Sequence, residues 1–150
     1  MKIEILNKEK DKVGNDIFIK KCDTLAHSPV YTFFLKNLAE TIDKGLGYPV
    51  TSWEDDKCEV IYAELNDKIL GHIVYTKPNG GTLFIVLSAV DKEFRKNGIY
   101  TILHNHFEII AKKNDCVAIS SLIHKNNSVR LESIKKFNLM PEFYFMAKKL

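Results

Sequence analysis

The sequence contains only three cysteines, Cys22, Cys58 and Cys116, and they are scattered without any C-x-x-C pair. An odd number of isolated cysteines excludes a disulfide framework and argues against a zinc site. We therefore expect reduced thiols in a cytoplasmic protein without a bound metal. Cys116 lies in an apolar run and is expected in the core; a catalytic thiol is the alternative at this position.

Long apolar runs and a strong charge imbalance are also absent. No apolar run approaches the ~18 residues that a membrane-spanning helix needs, and residues 1–10 are too charged for a signal peptide. The 22 basic and 19 acidic residues give a net charge of +3, too balanced to indicate nucleic-acid binding. There is no internal repeat. We predict a single domain, residues 1–150, that neither enters a membrane nor binds nucleic acid.

The first third of the chain predicts one strand and one helix. Residues 2–6 alternate as a short strand, residues 7–15 are polar and predict a loop, and residues 17–21 are ambiguous. The pair Ser28-Pro29 predicts a helix start, and Gly45 predicts a left-handed helix end. The apolar stripe predicted for this helix consists of Tyr31, Leu35, Leu38 and Ile42.

The remaining sequence predicts a hairpin followed by alternating strands and helices. Residues 60–65 and 69–75 have a period of two and flank the turn Asn66-Asp67, which indicates a hairpin. Residues 82–90 are apolar on both faces, as in a central strand. The later elements are predicted as a helix over 98–113 with Ile99, Leu103, Phe107 and Ile110 on one face, a buried strand over 117–123, a helix over 127–137 and a strand over 142–148. This order predicts an α/β fold with a mixed, mostly antiparallel sheet and helices on both faces.

One segment between the central strand and the long helix suggests a binding site: Val-Asp-Lys-Glu-Phe-Arg-Lys-Asn-Gly-Ile-Tyr, residues 90–100. The first backbone N–H groups of a helix lack internal partners and carry the positive end of its dipole, so they can bind a diphosphate. Gly98 permits close approach of the anion, and Arg95 and Lys96 add positive charge. A solvated loop with Gly98 as a turn residue is the alternative. The absence of G-x-G-x-x-G and G-K-[ST] argues against a dinucleotide or P-loop site.

This segment resembles the coenzyme A loop of the GNAT superfamily, the general-control-type N-acetyltransferases. The residues that match the family run are Val90, Glu93, Arg95, Gly98 and Ile99, and Tyr100 replaces the final small residue. A second match follows the next strand, where the family has an Asn, then a helix ending in a Lys-x-Gly-Phe turn. Here Asn126-Asn127 precede that helix, and Asn138 replaces the glycine.

The resemblance implies a GNAT-like acyl-CoA N-acyltransferase fold with a splayed central strand pair. In this family the pantetheine arm of acetyl-CoA lies between the parted strands, which implies a gap between residues 87–90 and 117–121. A backbone amide near Ala89 would stabilise the oxyanion. The implied acetyl-CoA-binding residues are Ala89, Val90, Arg95, Lys96, Asn97, Gly98, Ile99, Tyr100, Thr101, Asn127 and Arg130. Many family members form homodimers, and no feature of the sequence decides this point.

The usual acid and base of the family are missing, because Leu87 and Ile134 stand near their positions. Glu64 is a candidate base, Ser88 a candidate for ordering a water, and Tyr144 a candidate acid. A solvent-facing strand residue is the alternative for Glu64, and a core aromatic is the alternative for Tyr144. Two histidines, His72 and His124, are expected to titrate near neutral pH, with structural roles as the alternative. The loop over 45–57, with Tyr48 and Trp53, is the candidate lid.

Three hypotheses about function follow from the sequence. The first is an N-acetyltransferase that moves the acetyl group of acetyl-CoA to an amine of a small molecule or protein by direct attack. The second is a catalytically inactive acetyl-CoA-binding sensor or partner module, suggested by the missing acid and base. The third is an adaptor without a cofactor that uses its lysine-rich surface.

Overall fold

A mixed sheet with helices on both faces organises the protein. The structure, a computed structural model, describes residues 1–46, 55–78 and 81–139. The strands of this part of the chain are β1 (Ile3–Lys10), β2 (Asp16–Cys22), β3 (Cys58–Leu65), β4 (Lys68–Thr76), β5 (Gly81–Val90) and β6 (Cys116–Ser121). They lie side by side in chain order. The first four pairings are antiparallel, whereas β5 and β6 are parallel.

Three α-helices accompany the sheet in the described residues: α1 (Tyr31–Asp43), α2 (Ile99–Lys113) and α3 (Ser128–Lys135). Short 3-10 turns span Asp55–Lys57 and Lys92–Phe94. The parallel pairing of β5 and β6 follows from the crossover through α2. Over the described ranges, none of the helices combines the length and the hydrophobicity that crossing a bilayer requires. The predicted fold class is confirmed.

The first hairpin differs from the prediction, because the loop expected over residues 7–15 is wrong. β1 continues to Lys10, and only the turn from Asp11 to Asn15 separates it from β2. β1 is the edge strand, and most of its residues are exposed, so its sequence carries little hydrophobic alternation. Pairing with β2 makes it a strand in spite of its polar composition.

α1 also departs from its predicted start and stripe. Val30 is the residue that caps the helix, and the predicted cap Ser28 is buried with its hydroxyl unpartnered in the described part of the chain. Phe34 is fully buried while Leu35 is 44% exposed, so the buried face centres one residue earlier than predicted. The left-handed conformation predicted at Gly45 is confirmed by a φ of +62°.

Two hydrophobic cores lie on opposite faces of the sheet, as the alternation along β3 predicted. Val60 and Tyr62 pack under α1, whereas Ile61 and Ala63 pack with α2. The predicted stripe of α2 is buried throughout. The turn Asn66-Asp67 has positive φ at both residues, as a tight hairpin requires.

The end of the sheet beyond β5 is less buried than predicted. β6 spans Cys116–Ser121 rather than 117–123, and Val117 is 86% exposed. Cys116 is only partly buried, so its expected core position is wrong. The strand predicted over 142–148 lies outside the described residues.

Candidate functional site

β5 and β6 pair for only half of the length of β5. Their register runs from Gly81 opposite Cys116 to Ile85 opposite Ser121, where β6 ends. β5 continues to Val90, still paired with β4 on its other side. Residues 86–90 therefore present one strand edge that no described strand occupies. The splayed strand pair implied by the resemblance is present. The gap was expected between residues 87–90 and 117–121, and this position is wrong on the β6 side. Residues 117–121 are mostly paired with β5, and the gap lies after Ser121.

The start of α2 lies at the end of this free edge. Gly98 precedes the helix with a φ of +83°, a left-handed conformation that favours glycine, and no side chain caps the helix start. The first helical hydrogen bond runs from Ile102 N–H to the Gly98 carbonyl at 3.1 Å. The N–H groups before Ile102 therefore have no acceptor within the helix and can bind an anion.

The loop before α2 is held in shape by its own hydrogen bonds. The Asp91 carboxylate accepts from the Glu93 N–H at 3.0 Å, and the Asp91 N–H donates to the Leu70 carbonyl at 2.8 Å. Arg95 donates from Nε to the Val90 carbonyl at 3.2 Å, so its side chain bridges the loop and the end of β5. The arrangement leaves the exposed charges of Arg95 and Lys96 next to the helix start.

α3 forms the second wall beside the helix start. Its cap is Asn127, whose side chain accepts from the Arg130 N–H at 3.2 Å. Arg130 in turn donates to the Tyr100 hydroxyl at 2.6 Å. Lys136 donates to the Thr101 hydroxyl at 3.1 Å. These contacts bring the predicted residues of α2 and α3 together.

The predicted acetyl-CoA-binding residues differ in whether the side chain or the backbone is available to a ligand. Ile99 is buried in the core, so only its backbone is available to a ligand. The Tyr100 hydroxyl faces Arg130 of α3, and the Thr101 hydroxyl faces Lys136, which follows α3. Ala89 and Val90 lie on the free edge of β5, where extended backbone can pair with an amide-containing ligand. The backbone of this region therefore offers more free groups than its side chains do.

The structure describes two of the three predicted catalytic residues, Glu64 and Ser88. Glu64 forms an ion pair with Lys20, and both side chains are mostly buried. Ser88 lies opposite Ile73, on the face that packs with α2, and is partly buried. Tyr144 lies outside the described residues, as do Tyr48 and Trp53 of the predicted lid. Nor does the described part of the chain group three histidine, cysteine or carboxylate side chains where a metal would bind.

A row of paired residues crosses four strands and ends at the free edge. Lys20 lies opposite Tyr62, Tyr62 opposite His72, and His72 opposite Ala89, on the face covered by α1. Burial and the nearby Glu64 carboxylate raise the pKa of Tyr62 to about 12. His72 is completely buried against the rings of Phe33 and Phe34.

His72 does not titrate near neutral pH, so that expectation is wrong. Burial lowers its pKa to about 3, because the apolar surroundings disfavour the imidazolium. Both ring nitrogens are without a hydrogen-bond partner among the described residues. His124 lies in the loop before α3, where its Nδ1 accepts from the Asn126 N–H at 3.2 Å.

Two lysines near the helix start were missed by the sequence analysis. Lys12 lies in the β1–β2 turn and contacts Gly98 with its side chain. Lys136 follows α3 and contacts Thr101. Lys12 was missed because its segment was predicted as a loop, and no local pattern indicates that this turn packs against a loop so far along the chain.

The chain was compared with known families and structures. A sequence model of the acetyltransferase (GNAT) family matches residues 27–136, which include α1, the parted strands and α3. Comparison with curated protein sequences finds no significant match.

Several solved structures share the fold. A possible acetyltransferase from Clostridium difficile 630 has a TM-score of 0.65 at 23% identity, over 89% of this chain and 97% of that one. The ribosomal-protein-alanine N-acetyltransferase from Brucella melitensis biovar Abortus 2308 has a TM-score of 0.66 at 10% identity, over 89% and 99%. The aminoglycoside N-acetyltransferase AAC(6')-Iy, solved in complex with CoA, has a TM-score of 0.61 at 14% identity, over 88% and 99%. The GNAT-like fold is thereby confirmed.

Proposed function

Because the chain belongs to the acetyltransferase (GNAT) family, we propose that it is an N-acetyltransferase that moves the acetyl group of acetyl-CoA to an amine. The observation that carries this proposal is the parting of β5 from β6 after Ile85 and Ser121, directly beside the start of α2. An extended pantetheine arm needs a free strand edge, and a diphosphate needs unpaired N–H groups. Both lie next to each other in this structure.

The donor would be held mainly by the backbone. Residues 86–90 would pair with the amides of the pantetheine arm, and the N–H groups at Gly98 and after it would bind the diphosphate. The charges of Arg95 and Lys96 would balance the anion at the helix start. Asn127 and Arg130 would line the opposite side, where they already fix the start of α3.

The reaction needs a neutral amine close to the thioester. The amine nitrogen attacks the carbonyl carbon, the new N–C bond forms, and the C–S bond breaks. The sulfur leaves as a thiolate and takes up a proton, while the attacking nitrogen loses one. The Ala89 backbone N–H is our candidate for stabilising the oxyanion. Positioning supplies much of the rate, because a thioester is already activated.

The proton transfers are assigned as proposals. Ser88 lies on the half of β5 that does not pair with β6 and is our candidate for ordering a water. Tyr144 remains our candidate acid. Glu64 remains a candidate base, but its ion pair with Lys20 must open before the carboxylate can accept a proton from the amine.

The acceptor is proposed as an amine of a small molecule or of a protein. Structures with this fold include enzymes named for aminoglycosides and for an alanine of a ribosomal protein. These two acceptors share only a free amine, so the fold alone does not choose between them. The three scattered cysteines, without a C-x-x-C pair, support our expectation of a cytoplasmic protein.

A second function is binding of acetyl-CoA without catalysis. It is favoured by Leu87, which lies on the half of β5 that does not pair with β6 and packs against the core under α1, where it offers no proton acceptor. Ile134, near the usual acid position on α3, likewise offers no proton donor.

One pair of measurements tests both functions. Calorimetry with acetyl-CoA measures donor binding, and thiol release across aminoglycosides, small aliphatic amines and peptides with free N-termini measures transfer. We expect binding and amine-dependent thiol release. Binding without release with any amine would favour the second function, and the absence of binding would contradict both.

A further inference from the structure

The turn between β1 and β2 is docked onto the loop that precedes α2. The Lys12 N–H donates to the Asn97 carbonyl at 2.9 Å. Within the turn, the buried Asp11 carboxylate accepts from the Val13 N–H at 3.0 Å and from the Asn15 N–H at 2.8 Å. Asp11 therefore fixes the turn, and the turn fixes the position of Lys12 relative to the helix start.

The side chain of Lys12 lies across Gly98. A β-carbon on Gly98 would be 3.1 Å from Cγ, 3.4 Å from Cε and 3.5 Å from Cδ of Lys12. The aliphatic part of the Lys12 side chain therefore lies over Gly98, which has no side chain of its own. Nζ is one bond beyond Cε, so the ammonium lies near Gly98, the residue that precedes α2.

The charge of Lys12 is not neutralised within the described residues, unlike that of its neighbours. Lys8 and Lys10 of the same hairpin both pair with Asp16, at 3.0 and 2.9 Å. Lys68, at the same end of the sheet, pairs with Glu93 at 2.5 Å. An unpaired ammonium beside the positive end of a helix dipole is electrostatically unfavourable by itself, and an anion bound there would relieve it.

From these contacts we propose that Lys12 is a diphosphate-binding residue, which the β1–β2 turn delivers to the anion held by the start of α2. This inference rests on the proposed function, since the anion is the diphosphate of acetyl-CoA. It adds a cation from the N-terminal hairpin to a site whose predicted residues all lie between Ala89 and Arg130. The hairpin thereby becomes part of the donor site as well as the edge of the sheet.

The test compares Lys12→Met with the wild-type protein by calorimetry, using CoA and dephospho-CoA, which lacks only the 3′-phosphate. Methionine keeps an apolar stem over Gly98 and removes the charge. We expect both ligands to bind Lys12→Met roughly 5- to 20-fold more weakly, since each loses one charge-assisted contact. Turnover of S-acetylpantetheine, which has no phosphate, should have the same kcat/KM in both proteins.

Two further variants complete the design. Lys12→Arg should restore most of the affinity, because it returns a cation to the same turn. Lys10→Met, on the same hairpin but paired with Asp16, should bind CoA like the wild type.

Equal loss with CoA and S-acetylpantetheine would mean that Lys12 only shapes the loop. A loss of affinity for CoA without a loss for dephospho-CoA would assign Lys12 to the 3′-phosphate. Either result overturns the inference, as does unchanged binding by Lys12→Met, whereas failure of the wild type to bind CoA would refute the proposed function itself.

Discussion

Arg130 donates a hydrogen bond to the hydroxyl of Tyr100 at 2.6 Å, and its guanidinium lies 4.4 Å from the centre of the same ring. The ring also meets Phe137 edge to face at 5.4 Å. Tyr100 stands where the family run has a small residue, and the structure uses the added bulk to attach α3 to the first turn of α2. The ring therefore joins α3 to α2 and forms part of the wall beside the helix start.

Two substitutions of Tyr100 should separate the contribution of its hydroxyl to stability from that of its ring. Tyr100→Phe keeps the ring over Arg130 and should lower the free energy of unfolding by about 1 kcal/mol, the typical worth of one hydrogen bond. Tyr100→Ala also loses the ring contacts and should cost about 3 kcal/mol. Urea unfolding measures both changes, and CoA affinity of Tyr100→Phe should stay within about threefold of wild type.

The matched control is Lys136→Met, which removes an exposed α2–α3 contact and should cost no more than about 0.5 kcal/mol. If Tyr100→Phe folded with wild-type stability but lost CoA affinity by more than tenfold, its hydroxyl would be a ligand contact and our structural role for it would be wrong.

Gly98 and Gly45 provide a paired test of the helix start. Both have positive φ, so alanine at either position should cost about 1–2 kcal/mol of stability. Only the Gly98 β-carbon would meet a neighbour, the Lys12 stem at 3.1 Å, while nothing lies within 4 Å of the Gly45 β-carbon. We expect Gly98→Ala to weaken acetyl-CoA binding about tenfold or more and Gly45→Ala to leave it unchanged, as measured by calorimetry. Equal affinities would exclude the helix start from the donor site.

The sequence predicts best the elements whose pattern of apolar and turn residues lies within one short stretch of chain. α2 has a full stripe of apolar residues from Ile99 to Ile110. This stripe predicts a buried helix face regardless of which element packs against it. The β3–β4 hairpin is similar, because the turn at Asn66-Asp67 fixes the pairing locally. The segment from Val90 to Gly98 is recognisable by its residues and by its place between two such elements.

The parts that could not be predicted depend on contacts between distant segments. β1 is exposed, so its hydrophobicity does not distinguish a strand from a loop, and only its pairing with β2 makes it one. The contact between Lys12 and Gly98 depends on that same pairing. The ion pair of Glu64 with Lys20 depends on the register between β2 and β3. Sequence patterns describe what each segment buries and not which segment it meets.

The Lys20–Glu64 pair predicts how Glu64 should respond to substitution. Glu64→Gln leaves a mostly buried lysine without its counter-charge and should cost about 1–3 kcal/mol of stability. Because this ion pair holds the Glu64 carboxylate on Lys20, we expect the turnover rate to fall less than tenfold, as measured by thiol release with an amine that the panel identifies.

The double variant Lys20→Met/Glu64→Gln should recover part of the lost stability, because it removes the unpaired ammonium, and a double-mutant cycle measures the coupling. If a folded Glu64→Gln protein instead turned over at least about 100-fold more slowly than the wild type, Glu64 would be identified as the general base.

Stability should decrease in mild acid because of the buried histidines. Burial lowers the pKa of His72 from 6.5 to about 3 and also lowers that of His104, which lies against Phe137. The unfolded chain takes up these protons below about pH 6.5, whereas the folded protein takes them up only at lower pH. The contribution of these histidines to the free energy of unfolding is therefore present above pH 6.5 and is lost as the pH falls toward 3. For His72 alone we expect a loss of about 2 kcal/mol between pH 8 and pH 5.

Urea unfolding of His72→Phe at both pH values tests this expectation, since phenylalanine fills the site between Phe33 and Phe34 without ring nitrogens that lack partners. The variant should lose about 2 kcal/mol less than the wild type between pH 8 and pH 5. His27→Asn, which replaces an exposed histidine with a residue that tolerates its positive φ, is the control and should keep the wild-type pH dependence. If His72→Phe kept that dependence too, the folded protein would be accepting a proton at His72, and the imidazole would have access to water or to a polar partner that its burial denies it.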